Sequence, residues 1–218
     1  MIVIVTAMDK EYEIVKKHLE NSHKESGGLR GLFKDKDVLL IKTGIGKVNA
    51  AFGLTHALCS LDNVERVVSI GCACAAVADL SVGDIVVGNS YCYHDVYCGE
   101  PNEHGQVQDL PAVFPSAFSF LNEAERYTLG TIATGDRFIV MKEEIEEIKN
   151  FLPSVYNICA IDMESAAFAQ VCYKTGVPFV SIRAISDNPL LPKNHEEQYE
   201  DFWRNIAEVA FKALFKLI

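Results

Sequence analysis

Residues 163–187, MESAAFAQVCYKTGVPFVSIRAISD, decide the fold. Met163–Thr175 places small and apolar residues at helical spacing. Gly176-Val177-Pro178 then ends that helix, because glycine accepts the left-handed turn and proline cannot continue a helical ladder. Phe179–Ile185 follows as a short apolar run rich in β-branched residues, as a strand buried on both faces requires. A helix running through a tight turn into a buried strand is half of an α/β unit.

The same alternation extends in both directions. Strands are predicted at Ile2–Val5, Val38–Lys42, Val67–Ile70, Ile85–Asn89 and Tyr127–Ala133. Helices are predicted at Lys10–Asn21, Val48–Leu61, Lys142–Phe151 and from Glu197 to Ile218. This order implies a three-layer α/β/α sandwich with a central mixed sheet, formed by a single domain over residues 1–218. The longest irregular stretch, Tyr91–Ser116, is expected to form a site lid or an oligomer contact, with Val107, Leu110, Val113 and Phe114 exposed.

Composition narrows the function. The chain has 218 residues, 49% hydrophobic, and a formal net charge of −10. An acidic chain of this kind disfavours a nucleic acid polymer or an anionic membrane surface as partner, since both require a basic patch. No apolar run approaches the ~20 residues of a membrane helix. Seven scattered cysteines and the start MIVIVTAMDKEYE, without a basic region ahead of an apolar one, point to a reducing, cytoplasmic setting. Cys72 and Cys74 are too close for zinc-knuckle spacing and read as small buried residues on tight backbone.

In open α/β folds ligands gather at the carboxyl ends of the strands. Those ends carry Thr6-Ala7-Met8-Asp9-Lys10-Glu11, Thr43-Gly44-Ile45-Gly46-Lys47, Gly71-Cys72-Ala73-Cys74, Thr134-Gly135-Asp136-Arg137-Phe138-Ile139 and Ser186-Asp187. Glu164, in a small apolar helix start, and Asp187, closing an apolar strand, are carboxylates in costly places. Desolvation there would raise a carboxyl pKa toward the range of a general acid. The plain alternative for Asp187 is a turn cap or a partner for Arg183. Glu11 alone reads as a solvated residue of a helix's first turn.

Taken in order, residues 6–13, 43–51, 82–87, 93–96, 134–139, 161–167 and 177–187 resemble the 5′-methylthioadenosine/S-adenosylhomocysteine nucleosidases of the nucleoside phosphorylase superfamily. The resemblance spans nearly the whole chain. It implies hydrolysis of the N-glycosidic bond of a purine nucleoside such as 5′-methylthioadenosine, S-adenosylhomocysteine or 5′-deoxyadenosine, and with it a place in methionine salvage. By position it makes Asp187 the acid at purine N7, and Glu11 the base that activates water. Glu164 becomes the acceptor for the ribose 2′- and 3′-hydroxyls, with Met163 against the sugar. Phe138 stacks on the purine and the Ile139 backbone reads its polar edge. Met8, Val48 and Tyr199 surround the alkylthio end, and Cys72 lies near sugar and base. The resemblance implies a homodimer and no metal or organic cofactor, and leaves His94 with a structural hydrogen bond.

The chain departs from the family pattern at three places. Gly71-Cys72-Ala73-Cys74-Ala75 replaces Gly-Ser-Ala-Gly-Gly, which weakens a hydrogen bond and narrows the pocket. Tyr97 replaces an aspartate, and Asn188-Pro189-Leu190 replaces small polar residues. The competing readings are a futalosine-type hydrolase, a purine nucleoside phosphorylase, and a nucleoside-binding protein without catalysis. A phosphorylase needs cationic contacts to phosphate, and residues 6–13 offer only Lys10, while the third-strand loop has no arginine.

Overall fold

The computed structural model describes residues 1–122 and 124–218. In chain order the strands and helices are β1 (Ile2–Thr6), α1 (Asp9–Lys16), β2 (Glu20–Glu25), β3 (Gly28–Phe33), β4 (Lys36–Lys42), α2 (Lys47–Leu58), β5 (Arg66–Ala75) and β6 (Ile85–Tyr93). They continue with β7 (Phe114–Pro115), β8 (Thr128–Thr134), α3 (Lys142–Phe151), β9 (Ile158–Asp162), α4 (Ser165–Thr175), β10 (Phe179–Asp187), α5 (His195–Asp201) and α6 (Ala207–Phe215). The strands form one mixed sheet with helices on its faces, as the alternation predicts.

Strand periodicity divides the core. Val3, Val5, Leu39 and Ile41 face α2 and α4, where Leu54, Phe168 and Cys172 meet them. Ile2, Ile4, Val38 and Leu40 face the other way, against Ile14 and Val15 of α1 and Phe211 and Leu214 of α6. Successive residues of a strand point to opposite faces, so both sides must be apolar when both are covered.

The sheet is not a simple open one. β5 pairs in parallel with β1 along its first half and with β10 along most of its length, and then antiparallel with β9 at Cys74 and Ala75. β10 pairs β6, β6 pairs β8 and β8 pairs β9, so five strands close on themselves. β1, β4, β3 and β2 extend from β5 as an arm. The ring brings the carboxyl ends of β5, β8, β9 and β10 together.

Several predicted elements are corrected. The helix predicted to reach Asn21 ends at Lys16, and Glu20–Glu25 instead pairs with Gly28–Phe33 as a hairpin. The hairpin carries no apolar alternation in its first strand, ENSHKE, which is why it reads as helix end and loop. β9 was missed because its five residues run directly into the helix start. The C-terminal run is helical from His195 to Phe215, with a π turn at Phe202–Ile206 inside it. Cys72 and Cys74 lie on the extended strand β5, not on tight backbone. In the 91–116 segment, Phe114 is buried, and Val107, Leu110 and Val113 pack against the core, so the expected exposed apolar face is absent there. No helix among the described residues is long and apolar enough to cross a membrane.

Candidate active site

A cavity of about 110 Å³ opens where the ring strands end. Its lining brings together Met8, Glu11, Cys72, Phe138, Ile139, Met163, Glu164, Asp187 and Tyr199 from six separate stretches of chain. Val48 is the exception. It is 78% exposed on the outer face of α2, while Ile45, in the turn before that helix, takes the place at the wall. None of residues 91–116 lines the cavity, so the lid expectation for that segment does not hold for this pocket.

Glu11 is not a solvated helical glutamate. It is 3% exposed, and three backbone N–H groups donate to it: Ala7 and Met8 to Oε2, and Cys72 to Oε1, each at 3.0 Å. The Met8 N–H is at the N-cap of α1 and the Ala7 N–H just ahead of it; the third reaches across from β5. Gly71 permits this approach, because a Cβ there would sit 2.7 Å from Oε1. Burial raises the Glu11 pKa, and the Arg183 charge and the three N–H donors oppose the shift.

Glu164 sits at the junction of β9 and α4, where it accepts a hydrogen bond from the Gly46 N–H at 2.8 Å. Gly46 has φ of 92°, which aims this N–H inward and favours glycine. Burial, reinforced by the neighbouring Asp162, pushes the Glu164 pKa up to about 8. Asp162 is held by the Thr134 hydroxyl at 2.6 Å, by Ser165, and by Arg183 Nε at 2.9 Å. Arg183 therefore pairs with Asp162 and not, as one reading had it, with Asp187. A second Arg183 nitrogen donates to Ser69 Oγ at 3.0 Å.

Asp187 is fully buried at the end of β10. Ser186 Oγ donates to its Oδ1 at 2.6 Å, while Oδ2 has no hydrogen-bond partner among the described residues. His195 Nε2 lies 3.2 Å from that oxygen without an aligned hydrogen bond. Phe138 stands at the mouth, edge-on to Tyr199 with ring centroids 5.5 Å apart, and the Tyr199 hydroxyl lies 3.8 Å from Met8 Sδ. Arg137 is the one cationic side chain in the lining among the described residues, and it is bound to Glu144 at 2.7 Å. His94 is buried, with its Nε2 lacking a partner among the described residues, and its ring packs on Gly135.

Sequence reasoning missed Ile45, Ser186, Arg137 and His195. Ser186 and Arg137 stood inside motifs already quoted, and a carboxylate on an apolar strand is itself a signal to look for a hydroxyl donor beside it. His195 lies in a polar run that carries no pattern.

The fold and this arrangement of carboxylates at converging strand ends define a class: residues 1–218 match the family model described as Phosphorylase superfamily, and the chain belongs to that superfamily. A 5′-methylthioadenosine/S-adenosylhomocysteine nucleosidase of Bacillus pumilus is 38% identical over 94% of this chain and 93% of its own, and one from a Marinomonas species is 33% identical over 95% and 94%. The Neisseria meningitidis nucleosidase solved with methylthio-immucillin-A superposes with a TM-score of 0.85 at 30% identity, covering 99% of this chain and 96% of that one. Within the superfamily, the chain belongs to the 5′-methylthioadenosine/S-adenosylhomocysteine nucleosidase family.

Proposed function

We propose that the chain is an N-glycosidase that hydrolyses 5′-methylthioadenosine and S-adenosylhomocysteine, with 5′-deoxyadenosine as a further substrate. One observation carries the reading: Glu11, Glu164 and Asp187, far apart in sequence, converge on one cavity whose lining holds no unpaired cation among the described residues. An adenine ring enters between Phe138 and the Ile139 backbone, and the ribose lies over Met163. Glu164 accepts from the 2′- and 3′-hydroxyls. The alkylthio group points to Met8, Ile45 and Tyr199.

The reaction follows from these positions. Asp187 gives a proton to purine N7 as the C1′–N9 bond breaks and its electron pair enters the base. The sugar becomes oxocarbenium-like, and the nearby carboxylates stabilise its positive charge. Water attacks C1′ and passes a proton to Glu11, which returns it to solvent. A base for water is most effective with a pKa drawn toward neutrality, the direction in which burial moves Glu11. Phosphate would meet several carboxylates and only Arg137, already bound to Glu144, which disfavours phosphorolysis.

Residues 1–218 act in this reading as one domain, cytoplasmic, placed in methionine salvage, and paired as a homodimer. The dimer reading is supported by Ile45, Val48 and Phe52, which expose an apolar face beside the cavity. A second copy is the occupant proposed for that face. The experiment is adenine release from a panel of nucleosides differing at the 5′ position, with and without phosphate. Release without phosphate that Asp187→Asn lowers by about 10²–10⁴-fold supports hydrolysis. Phosphate-dependent release, or tight binding without release, refutes it.

A further inference from the structure

Asp187 faces a side chain that neither the motifs nor the reaction above use. His195 opens α5, eight residues after β10 ends, and its Nε2 lies 3.2 Å from Asp187 Oδ2. Both side chains are buried. The two atoms are at ion-pair distance but form no aligned hydrogen bond, so that Oδ2 and both ring nitrogens stand unpartnered among the described residues. The ring is fixed by aromatic neighbours on two sides: Phe138 edge-on with centroids 5.4 Å apart, and Tyr199 stacked at 6.3 Å. A buried imidazole aimed at a buried carboxylate, against the residue at the cavity mouth, is placed to act on the acid.

We propose that His195 is a positioning and proton-supplying residue, which holds Asp187 toward the cavity and hands it the proton that leaves with the purine. The inference rests on the nucleosidase reading. The proton begins on Nε2 of the imidazolium and passes to Asp187 Oδ2. Asp187 delivers it to N7 as the C1′–N9 bond breaks, and His195 is left neutral. Solvent returns a proton to the ring, and the proton taken from water by Glu11 goes back to solvent, so the turnover consumes none.

The surroundings favour the charged ring. Asp187 faces it from β10, Glu144 from α3 with Arg137 bound to it, and Glu196 and Tyr199 from its own helix, while the Cys74 thiol of β5 faces the same Asp187. Interaction with Asp187 raises the His195 pKa above its ordinary value, against the opposing effect of burial.

Two measurements test the proposal. The first is the imidazole titration of His195 by NMR in the wild-type chain and in Asp187→Asn. A titration above the usual histidine range that falls back in Asp187→Asn supports the pair; a titration that Asp187→Asn leaves in place overturns it, and needs no activity at all. The second is the pH profile of kcat for adenine release from 5′-methylthioadenosine in His195→Gln. The expected result is a fall of about 10- to 100-fold near neutral pH, modest beside a full acid–base deletion because Asp187 remains. KM should change little, and the alkaline limb should move to lower pH because the carboxyl alone must then hold the proton. A profile unchanged in shape overturns the proposal, whether or not kcat falls, since a packing role would lower the rate without moving the limb. If the wild-type chain releases no adenine, the nucleosidase reading fails, and the NMR titration still decides the pair.

Discussion

Gly71→Ala tests whether Glu11 is held as tightly as its three donors imply. The added Cβ would lie 2.7 Å from Glu11 Oε1 and 3.2 Å from Cδ, whereas carbon contacts are comfortable near ~3.5 Å. A glutamate tip is normally free to move aside. Here it is pinned by Ala7, Met8 and Cys72, and the Gly71 backbone is itself fixed in register with Arg183 of β10. Gly71 has no positive φ, so alanine brings no backbone strain and the substitution isolates the contact. A withdrawal of under an ångström stretches the Cys72 N–H bond beyond useful length. Leaving that buried donor unpaired costs about 1–3 kcal/mol. Displacing the base on that scale costs about 100-fold in rate. Adenine release from 5′-methylthioadenosine gives the rate, and a thermal melt gives the stability. A kcat within twofold of wild type together with an unchanged Tm would show that Glu11 is loosely held, and the reasoning would fall.

Other expectations follow from the same geometry. Asp187→Asn should lower kcat by about 10²–10⁴-fold in the adenine-release assay, the range for a lost proton donor. Because the folded pKa of Glu164, about 8, lies above the ordinary 4.5, its neutral form favours the fold at low pH and that contribution is lost as pH rises from about 4.5 to 8. The Tm of Glu164→Gln should therefore fall less than the wild-type Tm between pH 5 and pH 8. Arg183→Met strands the buried Asp162 and should cost about 3–5 kcal/mol in urea unfolding. The proposed dimer through the exposed face of α2 predicts that the wild-type chain sediments as a dimer at micromolar concentration and Phe52→Glu as a monomer.

What the sequence discloses follows from how each signal is made. β1, β4, β5, β6, β8 and β10 announce themselves because strands buried on both faces must be continuously apolar. The β2–β3 hairpin hides because its first strand is exposed along its length and needs no apolar residues. Asp187 and Glu164 are visible as charges in apolar surroundings. Glu11 is not, because a glutamate early in an amphipathic helix is ordinarily solvated, and only the family resemblance separated it from that expectation. Val48 shows the limit of carrying a position over: the main chain places Ile45 at the wall and turns the next helical position outward. His195 has no local signature at all, since its meaning comes from Asp187, on another element.

The closed ring explains why so many carboxylates can share one cavity. Glu11, Asp162, Glu164 and Asp187 would repel one another if all were ionised in a dry site. Asp162 takes Arg183 as its buried partner, which leaves the others to be satisfied mainly without cations. Glu11 and Glu164 are held by main-chain N–H groups, with burial holding their pKa values high. Those donors come from different elements: the β1–α1 turn, β5 and the turn before α2. Glu11 and Glu164 therefore tie together backbone segments far apart in sequence, Glu11 with Cys72 and Glu164 with Gly46. A neutral nucleoside that becomes positively charged at C1′ during the reaction suits this environment better than any anion.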